Sequence, residues 1–233
     1  MVEIIPAILT KSYKELERQA EIAHAFAKKI QIDVVDGVFA KHATWPYKDG
    51  SNFQKIKEEE HGLPFWEDLD FEFDLMIENP HEHAMDYVRA GASHIVIHAE
   101  ATGAVEALQK LAELRGDDAG AFSITTGLAL LPNMQPDVLE SFDTLFDYVQ
   151  VMGINTVGRQ GEPFDAHSVA LVERLRHRYP DLVIQVDGGV NTETAGALAH
   201  AGANRLIAGS AIFGADNPEE AYKALYTLAN GSQ

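Results

Sequence analysis

Eight times along this chain a short run rich in β-branched residues gives way to a longer stretch with helical spacing, and this alternation restricts the fold most. The runs cover residues 2–9, 30–35, 71–77, 94–98, 121–126, 148–152, 182–187 and 205–208. Parallel neighbours need long crossovers, usually helical, and eight strand–helix units in one stretch of 233 residues read as a closed (β/α)8 TIM barrel. An open doubly wound sheet is the alternative. Helix signals fill the gaps. Residues 11–29 carry Leu16, Ala20, Ile22, Ala23 and Phe26 near helical period, with Thr10 as the expected N-cap. Pro80 stands just inside a helix after Asn79, and Gly91 closes it. Residues 165–178, 191–201 and 217–228 follow the same grammar, and 136–141 is short. No low-complexity linker divides the chain, so residues 1–233 read as one domain. Its connection at about 37–70 is enlarged, with a helix expected at 51–60 and the aromatics Trp45, Tyr47, Phe65 and Trp66.

Composition removes several kinds of chemistry. With no cysteine there is no thiolate nucleophile, disulfide or Cys-type metal site. A formal charge of −18 argues against nucleic acid and anionic membrane surfaces as partners. No run approaches the ~20 apolar residues of a membrane span, and the start MVEIIPAIL lacks a signal peptide's basic region, so a cytoplasmic location is expected. An apolar patch outside the barrel leaves a homo-oligomer open.

In such barrels the site lies at the C-terminal strand ends. Side chains alternate along a strand, so Ile30, Ile32 and Val34 face the helices while Gln31 and Asp33 point inward. By the same parity Asp74 and Met76 face inward from the third strand, and Gln185 and Asp187 from the seventh. One such aspartate alone would be a strand-end cap. Three of them in one interior must be paired, hydrated, protonated or bound to metal, and no Lys or Arg shares those strand ends. Strands two and seven are three steps apart around a ring of eight, so Asp33 and Asp187 are expected to face each other across the mouth. A carbonyl compound between them can lose a proton from one face and regain it on the other, which inverts the carbon beside the carbonyl.

Glycines supply a second constellation. Gly188 and Gly189 end strand seven, and Gly209 and Ser210 end strand eight, where barrels of this kind hold phosphate on backbone amides. Neutral donors suit an anion in an acidic protein. The loop 153–161 after strand six adds Gly158 as a phosphate donor, Asn155 as a substrate contact and Arg159 as a positive charge over the ligand. His98 is a candidate wall or core residue, while Met76 and Met152 are packing or the floor under a substrate.

The elements Ile5-Pro6-Ala7-Ile8-Leu9, Asp33-Val34-Val35-Asp36-Gly37, Leu75-Met76-Ile77-Glu78-Asn79-Pro80, His98-Ala99-Glu100, Val151-Met152, Val186-Asp187-Gly188-Gly189 and the run Ala208 to Gly214 resemble, in this order, the ribulose-phosphate 3-epimerase family. The resemblance implies a ribulose-phosphate-binding (β/α)8 barrel, with Asp33 and Asp187 as the two acid/base carboxylates. It implies interconversion of ribulose 5-phosphate and xylulose 5-phosphate through an enediolate. The family's divalent metal is held by His-x-Asp on strand two, a His on strand three and the Asp of Val-Asp-Gly-Gly. Here Gln31 and Asp74 stand in place of the two histidines, and Ala7 replaces a serine. The strand-six loop departs from Asn-Pro-Gly-Phe-Gly-Gly, and the connection after strand two is about ten residues longer than usual. If a metal is kept, Gln31, Asp33, Asp74 and Asp187 form an all-oxygen set that suits Mg²⁺ or Mn²⁺ better than Zn²⁺. Without one, the resemblance implies an isomerase of another sugar phosphate or a non-catalytic sugar-phosphate binder. A decarboxylase or aldolase of the wider superfamily would need Lys where Met76 stands.

Overall fold

A computed structural model describes residues 1–114, 123–159 and 161–231. Its eight strands are β1 (Glu3–Ile8), β2 (Lys29–Val35), β3 (Asp70–Met76), β4 (His94–His98), β5 (Thr125–Leu130), β6 (Tyr148–Met152), β7 (Val183–Asp187) and β8 (Arg205–Ala208). They form one closed parallel barrel in chain order, with Glu3 of β1 opposite Arg205 of β8 at the seam. The barrel, not the open sheet, is the fold.

The fifth strand begins four residues later than its sequence signal. Of the expected run, Ala121 and Phe122 lie outside the described residues. The β-branched residues there mark only the strand's start, since Gly127, Leu128 and Ala129 have weaker strand preference and are held by pairing to β4 and β6. Gly127 has a further reason to be glycine. A Cβ there would stand 2.6 Å from the Tyr148 ring inside the barrel.

Helices α1 (Tyr13–His24), α2 (Ser51–Lys57), α3 (Pro80–Arg89), α4 (Ala104–Ala112), α5 (His167–Arg178), α6 (Ala195–Ala201), α7 (Ser210–Phe213) and α8 (Pro218–Asn230) occupy the connections, with a 3₁₀ turn at Pro136–Phe142 between β5 and β6. Ser12, not Thr10, caps α1: its hydroxyl accepts from the Glu15 amide at 3.4 Å. Asn191 instead forms a turn, accepting from the Glu193 amide at 2.8 Å, so α6 starts at Ala195.

Ile30, Ile32 and Val34 of β2 and Phe71, Phe73 and Leu75 of β3 pack outward into the main apolar core against the helices. The enlarged connection contributes to that core: Trp45 is 1% exposed and meets Phe53 edge-on at 5.4 Å, whereas Trp66 remains exposed. The barrel's own axis is polar. Gln31, Glu72, Asp74, His98, Gln150 and Gln185 are all fully buried inside it. Burial obliges them to bond one another. Tyr148 donates to Glu72 at 2.7 Å, and the Gln185 amide donates to Glu72 at 2.6 Å and to Gln150 at 2.7 Å. Among the described residues no helix is long and apolar enough to cross a membrane.

Candidate active site

Where this polar axis reaches the C-terminal strand ends, a cleft of about 500 Å³, counting its open mouth, is lined by Asp33, Met76, Met152 and Asp187. Gly188, Gly189, Gly209 and Ser210 line it as well, so the aspartate pair and the glycine loops share one space. Asp33 and Asp187 are 7% and 8% exposed, enough to touch a ligand but little else. Opposed placement from β2 and β7 brings them closer than a pair separated by the mouth. The Gln31 amide nitrogen bridges them, donating to Asp33 Oδ1 at 2.8 Å and to Asp187 Oδ2 at 2.8 Å. Asp74 stands beside them, with carboxylate oxygens of all three aspartates within 4.8 Å of one another.

Burial first, and then the neighbouring Asp187 and Asp74 carboxylates, push the Asp33 carboxyl well above its usual range. Burial and Asp74 raise Asp187 to about 7. A site with such groups readily holds one proton between two carboxylates at neutral pH.

Two candidate residues lie beneath the cleft. Asp74 is fully buried, accepting from His98 Nε2 at 3.1 Å and from the Gln150 amide at 3.0 Å. His98 is a hydrogen-bonded core residue and not part of the wall. Burial pulls its pKa down, but Asp74 and Glu100 outweigh burial and lift it to about 10, so it is an imidazolium at neutral pH.

Gln31 donates its amide nitrogen to both aspartates and so bridges the pair. Asn155 is exposed and outside the cleft, its amide donating to Asp165 instead. Gly158 lines the cleft, packed where a Cβ would stand 2.9 Å from Ala40 and 3.2 Å from Val35 of β2. Within the same loop, Gln160 lies outside the described residues.

Gly153 is a contact the sequence did not single out. Its amide donates to the Asp187 carbonyl at 2.6 Å, and a Cβ would fall 1.9 Å from the Gly188 carbonyl oxygen. Gly153→Ala is therefore expected to push the β7 end and its glycines out of place. A urea titration should show a loss of about 1–3 kcal/mol, the usual cost of overpacking. An unchanged midpoint would contradict this contact. Asp36 was also overlooked. It ties two loops, accepting from the Phe39 amide at 2.8 Å and from the Glu78 amide at 2.7 Å.

The donor set fits a divalent cation. Asp33, Asp74 and Asp187 offer hard oxygen ligands within 4.8 Å of one another, the donor chemistry a divalent cation such as Mg²⁺ or Mn²⁺ takes.

The sequence matches the model of the ribulose-phosphate 3 epimerase family over residues 3–213. It is 33% identical to ribulose-phosphate 3-epimerase of Bacillus subtilis, with 95% of this chain and 96% of that protein covered. It is 30% identical to ribulose-phosphate 3-epimerase of Candida glabrata, covering 93% of this chain and 88% of the relative. Among solved structures, 3-hexulose-6-phosphate synthase from Salmonella typhimurium superposes with a TM-score of 0.67 at 15% identity, over 98% of each chain, a likeness of fold. With the family model matched over residues 3–213 and relatives at 30% identity or more over nearly the whole chain, the chain belongs to the ribulose-phosphate 3-epimerase family.

Proposed function

We propose that the protein is a ketose-phosphate 3-epimerase acting on ribulose 5-phosphate and xylulose 5-phosphate, with Asp33 and Asp187 as the two proton-transfer groups. The reading rests on one observation above others: two nearly buried carboxyl groups from opposite strands, bridged by a single amide nitrogen. In one direction, one aspartate is the ionised base and the other carries a proton. The base takes the proton from C3, and the C–H electron pair moves into the C2 carbonyl to give an enediolate. The second aspartate then delivers its proton to the opposite face of C3, and the C2 carbonyl re-forms. The roles exchange in the reverse direction, and nothing is consumed.

Raised pKa values serve both roles, since each group must be able to hold and release a proton near neutral pH. Gln31 keeps the two carboxylates at a fixed separation, and Gln150 and His98 hold Asp74 beside them. Asp33, Asp74 and Asp187 are the residues that would hold a divalent cation, Mg²⁺ or Mn²⁺ by their oxygen chemistry rather than Zn²⁺, and its charge would favour the enediolate. Backbone amides of Gly188, Gly189, Gly209 and Ser210 are the phosphate donors of this reading, with Met76 and Met152 forming an apolar floor.

The test is conversion of ribulose 5-phosphate to xylulose 5-phosphate by the purified protein, with and without added Mn²⁺. Turnover with ribulose 5-phosphate and not with ribulose is the expected result. Binding of the sugar phosphate with no conversion in either condition would replace this reading by that of a sugar-phosphate-binding protein.

A further inference from the structure

Among the described residues lining the cleft, Arg159 is the one cation, set against the carboxylates of Asp33, Asp187 and Glu162. Its guanidinium lies 3.3 Å from Glu162 Oε1, with the Arg159 side chain 54% exposed and that of Glu162 21% exposed. The described residues 153–159 of the loop that carries Arg159 lead from β6 to the end of β2, where Gly158 meets Val35. At the near end, Gly153 is bonded to β7 through the Asp187 carbonyl, and its own carbonyl accepts from the Asp165 amide at 2.8 Å. Further along, Val157 packs against the apolar cluster that contains Met152, and Gly158 sits tightly against Val35 and Ala40. This bracing holds the Arg159–Glu162 pair at the cleft without tying the guanidinium to the barrel.

We infer that Arg159 is a phosphate-binding and specificity-determining residue, exchanging its partner from Glu162 to the ligand's phosphate when the cleft fills. The inference rests on the reading that the ligand carries a phosphate. In a protein of net charge −18, with three carboxylates in the cleft, backbone amides alone must draw a dianion against the local field. A guanidinium offers paired N–H donors matched to phosphate geometry. Glu162 has two effects: it holds the guanidinium at the cleft, and it competes with phosphate for the same donors. The exchange raises discrimination against the unphosphorylated sugar, because without a phosphate Arg159 stays on Glu162.

Calorimetric titration of ribulose 5-phosphate, inorganic phosphate and ribulose into the parent, Arg159→Gln and Glu162→Gln proteins tests this. Arg159→Gln should weaken ribulose 5-phosphate binding about 10-fold to 100-fold, the range for a lost charge-assisted bond, and weaken inorganic phosphate in parallel. It should leave ribulose binding within about two-fold of the parent. Glu162→Gln should tighten the sugar phosphate several-fold. Arg159→Gln binding ribulose 5-phosphate as tightly as the parent would overturn the assignment while leaving the epimerase reading intact. A Glu162→Gln protein that binds it more weakly than the parent would overturn the exchange of partners. If the parent itself prefers ribulose to ribulose 5-phosphate, the phosphate reading fails and this inference with it.

Discussion

Asp33→Asn and Asp187→Asn should each lower kcat for the interconversion of ribulose 5-phosphate and xylulose 5-phosphate about 10³-fold, with KM changed little. The size follows from removing one of two general acid/base groups, each worth about 10²–10⁴-fold. KM is spared because the glycine loops and the Met76–Met152 floor are untouched. Neither variant should unfold the protein. Asparagine is nearly isosteric, and each aspartate is a carboxyl whose ionised form burial disfavours. At pH 8 without divalent cations, both variants should melt at or above the parent's temperature. Steady-state kinetics and thermal melts on the same preparations check the pair of results. A variant that keeps the parent's kcat, or loses kcat only because it melts below the assay temperature, would contradict the assigned roles.

The second large effect is on stability. Asp187 titrates at about 7 in the fold against an ordinary 3.8, and Asp33 moves in the same direction. A carboxyl raised on folding contributes stability that is fully present below about pH 4 and is lost as pH climbs through its folded value. Cation-free protein should therefore weaken between pH 5 and pH 8. Asp187 alone corresponds to on the order of 4 kcal/mol from its ordinary value up to about 7, of which about 3 kcal/mol falls above pH 5, or roughly 5–10 °C in melting temperature for a chain of this size. His98, raised from 6.5 to about 10, adds a loss of the same sign that begins near pH 6.5 and continues to about pH 10. Mg²⁺ or Mn²⁺ should reverse the weakening, and by more at pH 8 than at pH 5, because a cation compensates only the ionised carboxylates. Asp187→Asn should flatten the pH slope, separating this effect from the general repulsion of an acidic protein. Melts that are flat from pH 5 to 8, or a cation effect larger at pH 5, would contradict the charge account of the cluster.

Much of this architecture was legible in the amino-acid order, for a physical reason. β2 reads Ile30, Gln31, Ile32, Asp33, Val34, and a strand buried on both sides shows its inner face only where polar residues interrupt the apolar run. The same parity placed Asp74 and Asp187. Gly188, Gly189, Gly209 and Ser210 were visible because glycine clusters at strand ends answer a backbone requirement, and Gly188 adopts φ +98°. What stayed hidden depends on partners far apart in sequence. Glu72, Gln150 and Gln185 look unremarkable singly, yet they form one buried network because the barrel closes β3, β6 and β7 around a common axis. The orientation of the Gln31 amide follows from both aspartates accepting from it, which residue spacing does not encode. Asn155 sits in a glycine-rich loop beside the site, but its side chain is taken by Asp165, ten positions on. Gly153 was passed over because its constraint is the approach of another strand's carbonyl.

The measurement closest to the central claim is deuterium uptake at C3, followed separately for each epimer by NMR in D₂O with the parent, Asp33→Asn and Asp187→Asn. Two groups on opposite faces predict that the parent labels both sugars. Each variant should label only the epimer whose C3 proton faces its surviving aspartate, and the two variants should label opposite epimers. If both variants label the same epimer, or both label ribulose 5-phosphate and xylulose 5-phosphate at the parent's rate, Asp33 and Asp187 do not divide the two faces of the substrate between them.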